Sequence, residues 1–175
     1  MTAPPTGTAR PIVHYGDPVL HRRCQPVSGF DDALAELVAD MFASMYAARG
    51  VGLAANQIGV DAQVFVMDCP ETGGANRVAH IVNPTLLDPP PPRELVTGSE
   101  GCLSVPGRYH DLARVSTATV TGFDMTGAPV TVSGDGLVAR CLQHEYDHLQ
   151  GMVYVDRLPR RTRLEILASA GLSER

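Results

Sequence analysis

The chain has 175 residues, a formal net charge of −5, 44% hydrophobic and 19% charged residues; this is the composition of one ordinary globular domain, not of a collagen-like, coiled-coil or disordered chain. All 14 basic residues are Arg, which excludes mechanisms built on a P-loop lysine, a Schiff-base lysine or a Ser–Lys pair, and the acidic balance argues against a DNA binder or other dedicated nucleic-acid protein. No apolar run approaches the roughly 18 residues of a membrane helix, and the start, MTAPPTGTARP, lacks a charged region followed by an apolar stretch.

A soluble, cytoplasmic protein with no membrane contact is therefore expected. Residues 1–11 read as a loose, disordered tail and 12–175 as a single domain. Residues 31–48 carry the clearest helical pattern: Leu34, Leu37, Val38, Met41, Phe42, Met45 and Tyr46 recur at i, i+3, i+4 and i+7. Ser28 with Asp31 resembles a capping box, and Gly50 is a C-terminal stop. Residues 62–68 and 78–82 are short apolar runs that read as strands, with a turn at Glu71–Asn76 between them. Pro89–Pro92 cannot sit inside a sheet or helix and reads as a surface loop. Residues 114–122 and 128–133 alternate about Thr126 and Gly127, as a hairpin does. A second helix is expected over 136–149, opened at Asp135 or Gly136 and ended by Gly151. MVYVD, residues 152–156, reads as a short strand before an Arg-rich tail. Strands mixed with two helices, without an internal repeat or linker, predict a single α+β domain.

The strongest chemical signal is His144-Glu145-Tyr146-Asp147-His148. On a helix, i and i+4 lie on one face a turn apart, so both imidazoles can hold one ion with Glu145 next to the first of them; a pair of ordinary surface or core histidines is the other reading of the motif. A catalytic site of this kind needs a third protein ligand and an open position. Tyr154 stands where the third His of one H-E-x-x-H class would be, and Asp156, Glu165 and Glu174 lie in no second helix motif. Cys141 is one turn before His144 but about 10 Å of helix rise from His148, too far to share an ion whose bonds are about 2 Å. Cys102, in Glu100-Gly101-Cys102-Leu103-Ser104, remains, and composition alone reads it equally as a buried small hydrophobe. Thiolate and imidazole are compatible ligands for Zn²⁺ or Fe²⁺. With four cysteines and no C-x-x-C pair, free thiols or a metal thiolate are expected rather than disulfides.

Gly50-Val51-Gly52-Leu53-Ala54-Ala55-Asn56-Gln57 imitates a dinucleotide fingerprint but follows a helix where that motif must follow a strand. Its small residues suit close approach of another backbone, with the Gln57 amide just beyond. A tight helix-to-strand turn explains the same residues.

Together, Gly50–Gln57, Glu100–Ser104 and Gln143–Gly151 resemble the G-x-G-x-A-A-x-Q, E-G-C-L-S and Q-H-E-x-D-H-L-x-G segments of the peptide deformylase family, in that family's order. The likeness extends to Ile12–Leu20 and Asn83-Pro84 and covers roughly residues 12–158. The resemblance implies mostly antiparallel sheets packed around a central helix bearing H-E-x-x-H. It implies removal of the formyl group from the N-terminal formylmethionine of nascent polypeptides. It assigns Cys102, His144 and His148 to the metal, Glu145 to general base and then general acid, and Gln57 with the Leu103 N–H to the oxyanion. Glu100 and Gln143 become orienters of the ligands. Val51, Gly52 and Gly101 pair with the substrate main chain, and Leu137, Arg140 and Cys141 form the methionine pocket. The implied ion is Fe²⁺, replaceable by Zn²⁺ or Ni²⁺.

Two positions depart from common family forms: Arg140 is charged where some members are apolar, and Gly98 is small where some carry a larger apolar residue. The resemblance also implies action on nascent chains at the ribosomal exit tunnel. Contact of Arg157, Arg160, Arg161 and Arg163 with ribosomal RNA is one reading of the tail, and a solvated charged helix face is the other. A monomer is expected. Two rivals use the same helix: a metallopeptidase, and a metal-binding module without catalysis.

Overall fold

The structure, a computed structural model, describes residues 6–71 and 73–174. The strands among the described residues are β1 (Gly52–Ala54), β2 (Val64–Cys69), β3 (Arg77–Leu86), β4 (Leu95–Cys102), β5 (Val105–Val115), β6 (Thr117–Phe123) and β7 (Pro129–Asp135). The α-helices among them are α1 (Asp32–Ala47), α2 (Gly136–Leu149) and α3 (Arg160–Ser169). Five strands form one sheet in the order β1-β2-β3-β6-β7, while β4 and β5 form a separate two-stranded sheet. Every pairing is antiparallel, so the chain is α+β as the sequence predicts.

β2 explains how the sheet holds two helices. Successive side chains of a strand point to opposite faces. Val64 and Val66 pack with Leu34, Val38, Met41, Phe42 and Met45 of α1. Phe65, Met67 and Cys69 pack with Val138, Ala139, Cys141, Leu142 and Leu149 of α2. Burial on both faces is why this segment reads as a continuous apolar run instead of an alternating one. Each large side chain so buried contributes about 1.5–3 kcal/mol. A third cluster, around Leu20, Leu112, Tyr154 and Leu167, joins the β4–β5 hairpin to the C-terminal segment.

Several boundaries differ from expectation. Asp31, not Ser28, caps α1: its carboxylate accepts from Leu34 N at 3.1 Å. Gly50 does end that helix, by donating its N–H back to Met45 O at 2.9 Å. The expected strand at 152–156 is a 3-10 turn over Tyr154–Arg157. The Asp156 carboxylate accepts from Val153 N and folds the segment on itself, so Val153, Tyr154 and Val155 are all buried instead of alternating. β4 and most of β5 carry no strand signal, because Gly98, Ser99, Glu100 and Gly101 interrupt any apolar period. Within the expected tail, residues 1–5 lie outside the described residues. Thr8 N and the Arg10 guanidinium are held by Asp40 of α1, so this part lies on the helix.

Candidate functional site

α2 brings His144 and His148 to one face, and the β4 end brings Cys102 to the same place. Cys102 Sγ lies 3.2 Å from His148 Nε2, which lies 3.2 Å from His144 Nε2. All three ligand atoms fall within 4.8 Å of one another. Ligands on one tetrahedral ion with bonds of about 2.0–2.3 Å stand roughly 3.3–3.7 Å apart. One sulfur and two ring nitrogens converging at this spacing fit a single Zn²⁺- or Fe²⁺-type ion. Burial pushes the His148 ring well below its usual pKa and keeps it neutral, as a ligand must be. Burial opposes charge on His144 too, but contacts with Cys102 and Glu100 outweigh it and raise that ring. A bound cation displaces such a proton.

The ligands are oriented by a buried charge network. Glu100 Oε1 lies 2.7 Å from His144 Nδ1. Arg114 grips Glu100 through two nitrogens, at 3.0 and 2.6 Å, and reaches Asp147 at 2.7 Å with a third. Arg140 adds a bond to Glu100 at 2.9 Å, and Arg157 holds Asp147. Burial alone would raise the Glu100 carboxyl; hydrogen bonds from His144 and Arg114 outweigh it and hold its pKa far below the usual carboxylate range. Removing one partner of a buried pair costs about 3–5 kcal/mol, since the other charge is left uncompensated. On the other ligand, the Asn56 amide holds the backbone carbonyl of His148 at 2.7 Å.

Glu145 is 3% exposed, and its Oε2 has no protein partner among the described residues. Burial pushes its carboxyl up to about 7, the range in which one group can take and return a proton near neutral pH. It borders a cavity of about 530 Å³. Gly52 borders the same space, and a Cβ there would overlap Glu145 Oε1.

The other expected residues also line this cavity: Val51, Gln57, Gly101, Cys102, Leu103, Leu137, Arg140 and Cys141. The Gln57 carbonyl oxygen accepts from Ala54 N at 3.0 Å, and its amide donates to Ser104 Oγ at 3.2 Å and toward Cys102 Sγ at 3.5 Å. Leu103 sits in the two-residue turn between β4 and β5. Cys141 stays off the ligand cluster, with its thiol toward Val51 O. Gln143 departs from expectation: its side chain clamps the backbone of Val115 at the end of β5 and does not orient a ring.

Sequence reasoning assigned nothing to Ser104, Arg114 and Asn56. Ser104 lies in the Glu100–Ser104 segment, and its N–H donates to Cys102 Sγ at 3.4 Å. Asn56 adjoins Gln57 in the other motif. Arg114 has no local signal, being one of many arginines until the fold pairs it.

Comparisons with known proteins agree. The sequence model described as Polypeptide deformylase matches residues 9–164. The peptide deformylase 1 of Streptomyces avermitilis is 53% identical over 169 residues, 96% of this chain and 78% of that protein. The peptide deformylase of Ehrlichia chaffeensis superposes with a TM-score of 0.87 at 34% identity, over 94% of this chain and 96% of that one. Its complex with actinonin gives 0.86 at 36% identity, over 93% and 95%. A match across nearly the whole length, by sequence and by fold, places this chain in the polypeptide deformylase family.

Proposed function

We propose that Cys102, His144 and His148 hold one divalent ion in this chain, and that formylmethionyl peptides lose their formyl group beside it. Removal of the N-formyl group from nascent peptides is the family's activity; the role given to each residue carries the family resemblance onto this chain's geometry. One observation carries it: three ligand atoms within 4.8 Å of one another beside a buried carboxylate with a free oxygen, at a cavity large enough for a side chain and a stretch of backbone.

An ion held there supplies Lewis acidity, polarising an oxygen and easing proton loss from water. Glu145 takes the proton from the attacking water and returns it to the amine as the formyl C–N bond breaks, leaving formate and a free N-terminus. The Gln57 amide and the Leu103 N–H donate to the oxygen that gains charge. β1 is the edge of the five-stranded sheet, which leaves Gly52 open on the side away from β2 to pair with an extended substrate, with Val51 just before it and Gly101 opposite. The methionine side chain lies against Leu137, Cys141 and the stem of Arg140.

The native ion in this reading is Fe²⁺. Activity then decays in air and persists after Ni²⁺ or Zn²⁺ replacement, whereas equal decay for all three metals contradicts iron. The chain acts as a cytoplasmic monomer. No helix among the described residues is long and apolar enough to cross a membrane. The tail arginines form a solvated face and do not dock on ribosomal RNA. Arg157 pairs with Asp147, Arg160 and Arg163 with Glu174, and Arg161 with Glu165, so their charge is largely matched.

Turnover of a formyl-Met-Ala-Ser peptide by freshly purified protein, with metal analysis of the same sample, tests the reading. Formate release with one ion per chain is expected. Bound metal without formate release contradicts it, and so does cleavage of internal bonds in unformylated peptides.

A further inference from the structure

Arg140 is a charged residue on the helix that lines the proposed methionine pocket, yet its guanidinium is taken up by the β4–β5 hairpin. Its guanidinium makes three bonds to the β4–β5 hairpin. Nη1 donates to Glu100 Oε2 at 2.9 Å and to Leu112 O at 2.9 Å, and Nη2 donates to Val96 O at 3.0 Å. The acceptors lie on both strands of the hairpin, so one side chain of α2 binds β4 and β5 together. The side chain is 12% exposed. A planar fork with fixed donors suits this arrangement; a lysine ammonium reaches such dispersed acceptors less well.

Gly98 stands directly over this guanidinium. It pairs with Leu112 in the hairpin register, and a Cβ built on it would lie 3.2 Å from Arg140 Nη2 and 3.6 Å from Cζ. The backbone of Gly98 is not in the left-handed region that favours glycine, and glycine weakens a strand interior. The local conformation gives no reason for glycine here, whereas the neighbouring guanidinium does.

We propose that Gly98 and Arg140 form a matched pair in which the glycine admits the guanidinium and Arg140 acts as a positioning residue. Arg140 fixes the Glu100 carboxylate against His144 and ties the strand ending in Cys102 to the helix carrying both imidazoles. The two departures from common family forms are thus one feature, and the pocket wall at this point is the alkyl stem of Arg140 with its charge turned into the hairpin.

This inference rests on the metal-centre reading above, and its test separates the two. Wild type, Arg140→Met, Gly98→Ala, the double variant and Arg140→Lys are loaded with Zn²⁺. For each, the rate of metal loss to a chelator and the kcat and KM on formyl-Met-Ala-Ser are measured. Orienting residues around metal ligands are worth about 10–100-fold in affinity or activity. Arg140→Met should lose metal about tenfold faster, with kcat reduced and KM little changed, and Arg140→Lys should fall between; Gly98→Ala should lose metal faster than wild type by a smaller factor, because the guanidinium end has to give by only a few tenths of an ångström. The decisive outcome is the cycle: adding Gly98→Ala to Arg140→Met should have no further effect, because the guanidinium it crowds is gone. A Gly98→Ala protein equal to wild type, or a penalty just as large when Arg140→Met is already present, overturns the pairing. If wild type binds zinc but does not hydrolyse the peptide, the functional reading fails while metal loss still tests the pair.

Discussion

Gly52 and Glu145 meet across the floor of the cavity: a Cβ on residue 52 would overlap Glu145 Oε1 and lie 2.8 Å from Cys141 Sγ. Gly52→Ala must therefore displace the carboxylate or the strand. Overpacking of this kind costs about 1–3 kcal/mol, and the misplaced carboxylate should lower kcat by at least about tenfold. Urea unfolding and kinetics on the same preparation check both parts. Unchanged kcat would mean that Glu145 has more freedom than its burial implies.

Glu145→Gln keeps the volume of the side chain and removes its ability to accept a proton. Because Glu145 is not among the three converging ligands, bound metal should stay at one ion per chain. Turnover should fall by about 10²–10⁴-fold, the usual share of general acid–base catalysis. Near-normal turnover would remove Glu145 from the proton path.

Gln57→Leu should likewise retain metal. It removes the proposed donor to the oxyanion, a loss of about 10²–10³ in kcat. It also leaves Ala54 N without its acceptor, at about 1–3 kcal/mol of stability. A change confined to stability would leave Gln57 a purely structural residue.

His80 lies on β3, is 6% exposed, and accepts a hydrogen bond from Met125 N at 3.1 Å through Nε2. Burial holds its pKa below the usual 6.5. A histidine with a depressed folded pKa stabilises fully above the unfolded value and loses that contribution as pH falls toward the folded one. Urea midpoints of metal-loaded protein should therefore decline below about pH 6.5, and His80→Gln should flatten that part of the decline. Identical pH profiles for the two proteins would contradict this role.

How much was legible in the sequence depended on whether a signal was local. The α2 boundaries follow from the start signal at Asp135 and Gly136 and the stop at Gly151, the placing of His144 and His148 on one face from the helical period, and the β6–β7 hairpin from alternation about Gly127, which takes the positive φ of its turn. Cys102 emerged by elimination and from its motif. The hairpin that carries it did not, since β4 is rich in glycine and polar residues and only Glu100 of its residues is fully buried. The charge network was hidden for another reason: Arg114 and Asp147 are 33 positions apart, and nothing in the composition says which arginine enters the core. Arg140 and Gly98 were visible as oddities, but only their proximity makes them one feature.

The central claim is that one sulfur and two imidazole nitrogens share a divalent ion. X-ray absorption at the metal edge of freshly loaded full-length protein reads that ligand set directly. The account predicts one sulfur near about 2.3 Å and two imidazole nitrogens near about 2.0–2.1 Å, with the sulfur lost in Cys102→Asp. A first shell without sulfur, or one with two sulfurs that draws in Cys141, would contradict it.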